Sequence, residues 1–477
     1  MIKDLKKIIS YSKEYGFIFP SSEIYDGLQA VYDYGQNGVE LKNNIKNFWW
    51  RSFIQGYNNI VGVDAAILMN AKTWKASGHL DGFNDLMVDN KDSKKRYRVD
   101  ILIEDFAHSL PSENEKAKIL SQLSSALQQD NLSALYDILI KNNIICPISK
   151  TANWTEVKKF NLMFATSSSA TDDNANLYLR PETAQGIFVN FDNVLKTSRQ
   201  KIPFGIAQIG KAFRQEIVAR QFTFRMKEFE QMEMQYFVKP GEHKEAFQFW
   251  LNERKNWHKK LGIKTENIKI KKHDQLAHYA EEAMDIEFNF PFGFKEVEGI
   301  HSRTDFDLKN HQELSKKKLE YLDSKDNAKY TPYVIETSCG LDRLFLMVIC
   351  NALSEESVAG REEKRLTLKL PYEIAPVKCA ILPLMKKEPL EEKAKNLFEK
   401  IKFSFNTTYD DTQSIGKRYA RQDAIGTPFC ATIDFDSLEN NTITVRDRDT
   451  MKQETISIEN LENYVEAKVD MKNILKK

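Results

Sequence analysis

The side chains best suited to chemistry in this chain fall in three short stretches. The longest runs from Phe213 to Phe237. It opens with Arg214-Gln215-Glu216, passes through a loop holding Arg220 and Arg225, and its pattern predicts a returning strand from Lys227. Alternate residues of a strand share a face, so Phe229, Gln231, Glu233, Gln235 and Phe237 line one side. Glu230, Met232, Met234 and Tyr236 line the other. Arginines at a hairpin tip can clamp a phosphate through paired N–H donors, and a carboxylate deeper in can hold an ammonium. Taken alone, the pattern equally describes a solvated edge hairpin with surface ion pairs.

The second stretch is Leu179-Arg180-Pro181-Glu182-Thr183, where Pro181 stiffens the turn that presents Glu182 and Gln185-Gly186 follow. A first-turn acid of an ordinary helix reads the same way. The third is Tyr333 to Arg343, with Glu336, Ser338, Gly340 and Asp342 between. A strand there ends at a glycine and a helix opens with Arg343 near its start. Cations avoid the positive end of a helix dipole, so Arg343 is more naturally aimed at a phosphate or a buried acid.

Other chemistries fall away. Gly205 to Lys211 matches a phosphate-binding loop until Ala212, which stands where a magnesium-holding hydroxyl belongs. Ile206, Ala207 and Ile209 within it read as strand. There is no HExxH, GxSxG or GxGxxG. The 477 residues hold 69 basic and 68 acidic side chains, which excludes bulk electrostatic attraction to nucleic acid but not a local basic stripe. Five cysteines with no CxxC pair argue against a disulfide framework and a four-cysteine zinc site; no zinc is expected, and a reducing compartment fits. No targeting signal and no apolar run of about eighteen residues is present, so a soluble cytoplasmic chain without membrane partners is expected.

The elements that must position these stretches follow from periodicity. Leu41, Ile45, Phe48, Trp49 and Phe53 predict a helix over 39–55, and Ile60 to Met69 reads as a buried strand. Ser112 with Glu115 is a capping box opening a helical hairpin over about 111–142, its second helix capped by Asp130. An amphipathic helix is expected over 242–261 and a charged one over 313–325. Beyond Leu370, Val377–Leu382 (strand), Glu391–Ile401 (helix) and Ile443–Val445 (strand) suggest a separate α/β domain.

Together with Gly16-Phe-Ile-Phe-Pro-Ser-Ser-Glu-Ile-Tyr25, Gly38-Val-Glu-Leu-Lys-Asn-Asn44, Ala76-Ser-Gly-His79, Arg303-Thr-Asp-Phe-Asp-Leu308, Gly426-Thr-Pro-Phe429 and Thr444-Val-Arg-Asp-Arg-Asp449, the ordered set resembles the class II aminoacyl-tRNA synthetases, specifically the dimeric glycyl-tRNA synthetase family. The resemblance implies an α+β fold: a six- to seven-stranded antiparallel sheet flanked by helices over 1–370, then an α/β anticodon-binding domain over 371–477. It implies ATP-dependent activation of glycine to glycyl-adenylate and transfer to tRNA(Gly) by a homodimer.

The resemblance assigns roles by position. Arg214 would grip the α-phosphate of ATP, Glu216 the adenine side and Arg343 the γ-phosphate, with Phe229 stacked on adenine. Gln215, Phe224, Arg225, Met226, Lys227, Glu228, Val297, Gly340, Leu341 and Asp342 would complete the ATP site, and Glu296 would hold ATP through Mg2+. Glu182, Glu233 and Glu336 would surround the glycine ammonium and Ser338 would limit room for a side chain. Arg98, Phe229, Glu230, Gln231, Met232, Thr337, Cys339 and Gly340 belong to the same implied pocket. Gln215 and Lys227 replace a usual Asn and Arg, Thr337 and Cys339 a usual Pro and Ala, Gln36-Asn37 a Pro-Leu, and Asn70-Ala71 a His-Pro. Two other readings stand beside this one: a non-catalytic synthetase-like protein that binds RNA or a polymerase, and a synthetase of the same class for serine, threonine or proline.

Overall fold

The computed structural model describes residues 2–167, 176–217, 221–273, 276, 280–325, 327–358 and 363–476. Helix α1 (Gln36–Ile54) buries Leu41, Ile45, Phe48, Trp49 and Phe53 along one stripe, as their spacing requires. Strand β1 (Ile60–Gly62) follows and is much shorter than the expected run to Met69. The reason lies in a buried guanidinium: Arg180 Nη1 donates to the Ala65 carbonyl at 2.8 Å, drawing that backbone out of the sheet.

An inserted unit comes next, built from β2 (Asn84–Asp89), β3 (Arg96–Arg98), α2 (Val99–Ser109), α3 (Glu113–Gln128), α4 (Leu132–Lys141) and β4 (Lys158–Asn161). Strand β2 pairs with β3 on one edge and β4 on the other. Val99, Ile103, Leu123, Leu135, Leu139 and Trp154 give the unit its own apolar core. The helical hairpin read from sequence is thus one layer of a larger body. Ser112 accepts from the Glu115 amide at 3.4 Å. The cap of α4 is Asn131, not Asp130, because Asp130 sits at φ 49 and Asn131 Oδ1 accepts from Ala134 N at 3.0 Å.

The main body continues through α5 (Ala184–Val189), β5 (Phe204–Phe213), β6 (Glu228–Val238), α6 (His243–Lys260), β7 (Ile268–Lys272), β8 (Glu282–Phe290), β9 (Gly293–Thr304), α7 (Phe306–Ser315), β10 (Tyr333–Gly340) and α8 (Leu341–Ala352). The sheet order is β7-β8-β9-β10-β6-β5-β1. Six strands run antiparallel and β1 joins the edge parallel to β5. Helices α1, α6 and α8 cover one face through a core that includes Trp49, Met232, Met234, Trp257, Ile300, Cys339 and Phe345. The opposite face, polar where those strands cross, holds the site.

The charged helix expected over 313–325 is displaced. Helix α7 begins at Phe306 and stops at Ser315, because Lys316 is left-handed (φ 59) and the Gln312 side chain takes the Leu319 amide at 2.7 Å. The stretch Gly205 to Lys211 is strand, as its apolar pattern required. A Cβ on Gly210 would lie 2.1 Å from Arg180 Nη2, so this glycine makes room for a guanidinium rather than a phosphate.

The C-terminal part contains β11 (Cys379–Pro383), α9 (Leu390–Ile401), β12 (Thr407–Tyr409), α10 (Ile415–Ile425), β13 (Phe429–Ile433), β14 (Thr442–Asp447), β15 (Gln453–Ser457), α11 (Leu461–Val469) and α12 (Met471–Lys476). Its sheet runs β12-β11-β13-β14-β15, parallel through the first three strands and antiparallel beyond. Ile381, Leu397, Phe429, Val445 and Val465 fill a separate core. Helix α12 leaves that domain and returns Met471 and Ile474 to the core of the main body. Among the described residues no helix is long and apolar enough to cross a membrane.

Candidate active site

Register builds the site. Strands β6 and β10 pair so that Glu233 faces Ser338 and Gln235 faces Glu336. Strand β9 sets Gly299 opposite Ser338 and His301 opposite Glu336. Two rows of side chains therefore converge on the open face of the sheet, and the turn before α5 brings Glu182 and Thr183 against them.

Glu233 is 2% exposed and its carboxylate accepts from Thr183 Oγ1 at 2.5 Å, Ser338 Oγ at 2.6 Å and Gln231 Nε2 at 3.1 Å. All three donors are neutral. Glu336 accepts from Gln235 Nε2 at 2.7 Å and lies 2.8 Å from His301 Nδ1 and 3.2 Å from Arg303 Nη1. Arg303 also forks onto Asp307, at 2.8 and 3.0 Å. Glu182 accepts from Gln185 Nε2 at 3.0 Å and faces His79 Nε2 at 3.3 Å.

These partners divide the three acids. Burial pushes the Glu336 carboxyl up, but the Arg303 charge and the His301 bond outweigh it and hold the group down at about 2. Burial is likewise overcome at Glu182, where His79 and then Arg303 hold the carboxyl well below its usual range. Among the described residues no cation hydrogen-bonds to Glu233. Burial, then the charges of Glu336 and Glu182, push it up to about 7. The pocket thus contains two acids each held ionised by a neighbouring cation and a third with no cation bonded to it among the described residues.

Beside the acids, the same cavity of about 190 Å³ is lined by Arg214, Glu216, Phe224, Arg225, Met226, Phe229, Glu296, Gly340 and Arg343. Arg214 lies between the rings of Phe83 and Phe229, 5.4 Å from each centroid, and its Nε donates to the Pro181 carbonyl at 3.0 Å. Arg343, third residue of α8, sits over the Phe224 ring at 4.4 Å and meets Glu296 at 3.1 Å. A bulge in β9 at Val297 lets Glu296 reach this face while Glu298 turns to the other, where Arg254 and His258 hold it at 2.5 and 2.7 Å.

Other residues singled out in the sequence lie elsewhere. Met232, Cys339, Val297 and Leu341 are packed in the apolar core behind the sheet, and Thr337 is buried on that same side of β10. Strict alternation along β6 and β10 forces this, since their neighbours face the cavity. Glu230 and Asp342, by contrast, do line the cavity; they share Lys42, at 2.7 and 2.9 Å, and the Glu230 amide donates to Asp342. Glu228 pairs with Lys211 at 2.7 Å on the surface. Gln215 is fixed through its backbone to Leu162, and Lys227 through its own to Ala30 and Arg214. Arg98 ends β3 in the inserted unit, where Asp85 and Asp100 hold it at 3.2 and 2.5 Å with the Glu216 charge nearby. Arg220 lies outside the described residues.

His79, Thr183, Gln185, His301, Arg303 and Asp307 were given no role from sequence. A signal was present for two of them: Arg303 and Asp307 stand four apart within a quoted motif, and buried charges at that spacing need each other.

Comparison with known proteins places this geometry. A model of the tRNA synthetase class II core domain (G, H, P, S and T) matches residues 164–352. Models of glycyl-tRNA synthetase insertion domain 1 and of an anticodon binding domain match 85–162, in two overlapping pieces, and 378–468. The glycine–tRNA ligase of Chlorobaculum tepidum is 53% identical over 472 residues, covering 98% of this chain and 100% of that protein. That of Staphylococcus haemolyticus is 50% identical with the same coverage. In fold, the chain is similar to prolyl-tRNA synthetase from Cryptosporidium parvum complexed with L-proline and AMP, with TM-score 0.60, 14% identity, and 98% and 76% of the two chains covered.

Proposed function

The chain belongs to the glycine–tRNA ligases, and from that membership we propose which of its residues hold each substrate. The enzyme condenses glycine with ATP and passes the glycyl group to tRNA. The glycine carboxylate attacks the α-phosphorus, pyrophosphate leaves, and a hydroxyl of the terminal ribose then takes the glycyl group and releases AMP. No protein nucleophile takes part, so catalysis rests on positioning and on charge.

The observation that carries the glycine assignment is the state of Glu233: buried, bonded to neutral donors, and raised to about 7. A buried acid in that condition takes up a cation readily, and the ammonium of glycine is one. Glu233 and Ser338 form the floor, while Glu182 and Glu336, each steadied by a histidine and Arg303, extend the negative field without moving. A substrate with no side chain offers only its charge and its smallness, so selection rests on the ammonium and on exclusion of a Cβ. Glycine-dependent exchange of pyrophosphate into ATP tests the assignment; a Glu233→Gln protein with an unchanged glycine KM in that exchange would contradict it.

The class II core uses ATP. Arg214 and Arg343 are its phosphate ligands in our reading, both packed against aromatic rings. Phe229 offers the adenine a face, and Glu216 lies 4.0 Å from Arg225 on the same side of the cavity. Glu296 fits a Mg2+ ligand: it is a hard oxygen donor on the cavity wall, already facing Arg343, and one carboxylate plus phosphate oxygens is the usual magnesium set. When bound, the ion neutralises phosphate charge; Glu296 would orient it and release Arg343 toward the γ-phosphate.

We further assign residues from about 371 to anticodon recognition, supported by the domain model matched there. Dimerisation through the α1–β1 side is proposed because β1 leaves the sheet edge open. A cytoplasmic setting is proposed from five unbridged, buried cysteines.

A further inference from the structure

Next to Glu336, three neighbouring strands bring two histidines and an aspartate together. His273 follows β7, Asp285 lies in β8 and His301 in β9. One ligand atom from each lies within 4.8 Å of the other two. His273 Nε2 is 2.8 Å from Asp285 Oδ2, and the two imidazoles meet edge to face with centroids 6.0 Å apart. His273 and Asp285 make none of the phosphate or ammonium contacts assigned above, and His301 reaches that pocket through its bond to Glu336. We propose that the trio binds one divalent transition-metal ion of the zinc class, at a site separate from the magnesium of ATP.

The donor set supports this. Two imidazole nitrogens and one carboxylate oxygen suit a borderline ion that keeps a fourth position open for water, whereas magnesium prefers oxygen throughout. The scaffold is stiff: Ala283 pairs with His301 and Asp285 with Gly299 in the β8–β9 ladder, and the His273 amide donates to the Ala283 carbonyl at 3.1 Å. Ligand bonds of about 2.0–2.2 Å place tetrahedral donors roughly 3.4 Å apart, so side-chain rotations of about an ångström close the set.

The outer contacts agree as well. His301 Nδ1 lies 2.8 Å from Glu336 Oε1, which is the carboxylate–histidine arrangement that orients a metal-ligating imidazole. With the Nδ1 proton given to Glu336, Nε2 is the nitrogen that would ligate the ion. A bound ion would fix that tautomer. The ligands are far apart in sequence and none is a cysteine, which is why composition gave no hint of them.

The test uses the full-length protein, stripped with a chelator and titrated with Co2+ in the absence of glycine and ATP, so that its outcome is independent of the ammonium reading. One equivalent of Co2+ is expected to give the visible absorption of a tetrahedral nitrogen–oxygen site, bleached by Zn2+. His273→Ala and Asp285→Asn should each weaken binding by at least about tenfold, while the exposed-histidine control His108→Ala leaves it unchanged. Thermal melts establish that each variant is folded; Asp285→Asn conserves volume and carries the test if His273→Ala does not fold. No absorption at one equivalent, or equal binding in all three variants, would overturn the proposal and leave His273 and Asp285 as a plain ion pair.

Discussion

If Glu233 awaits a cation, glycine binding must expel a proton. The free carboxyl sits at about 7 because it is buried between two ionised acids. An ammonium against it favours the ionised form, as an opposite charge does at that range. The bound enzyme therefore holds Glu233 ionised across the neutral range, while the free enzyme is about half protonated at pH 7. Roughly half a proton per site should leave at that pH. Below it, each binding event must first remove a proton, so glycine affinity falls as pH falls through 7 and is flat above it. Between pH 8 and pH 6 the loss is about tenfold, or about 1.4 kcal/mol. Isothermal titration of glycine in buffers with different heats of ionisation measures the proton count directly. Glu233→Gln should abolish both the buffer dependence and the slope, leaving only weak binding. Buffer-independent heats at pH 7, together with a flat affinity from pH 6 to 8, would refute the argument.

Other perturbations follow from single contacts. Glu233→Gln should raise the KM for glycine in pyrophosphate exchange far more than the KM for ATP; equal changes would remove the ammonium role. Arg303 is 4% exposed and spans Glu336 and Asp307, so Arg303→Met strands two buried acids and should cost about 3–5 kcal/mol in a denaturation curve. Gly210→Ala drives a Cβ into the Arg180 guanidinium and should sharply lower Tm, whereas Gly416→Ala meets nothing within 4 Å and should leave it level or slightly raised. Ile474→Ala, although in the last helix, should destabilise the catalytic body by about 2–5 kcal/mol.

How far the sequence could be read depended on the range of the forces involved. Local periodicity located α1, α6 and the faces of β6, because each buries a stripe set by its own geometry. It failed where a distant side chain decides. The run after Gly62 is apolar enough for a strand, yet Arg180 takes its carbonyls. Glu296 and Glu298 alternate as if they shared a face, and a one-residue bulge sends them to opposite sides of the sheet. Within the site, the three glutamates, Ser338, Arg214 and Arg343 were legible through family resemblance. The residues that set their charge were not, since His79, His301 and Arg303 act across strands whose pairing no short window contains.

The return of α12 to the main body bears on how the protein is made. Met471 and Ile474 are synthesised after every strand of the catalytic sheet, yet they fill the same core as Phe48 and Trp257. A nascent chain that has reached the end of α11 carries the complete active site on an incompletely covered body. That body can close only after residues 471–476 emerge from the ribosome. A chain stalled or clipped before that point would expose apolar surface at α1 and α6, where chaperones and proteases recognise it. Closure of the main-body core is thereby tied to α12 rather than to assembly of the site residues.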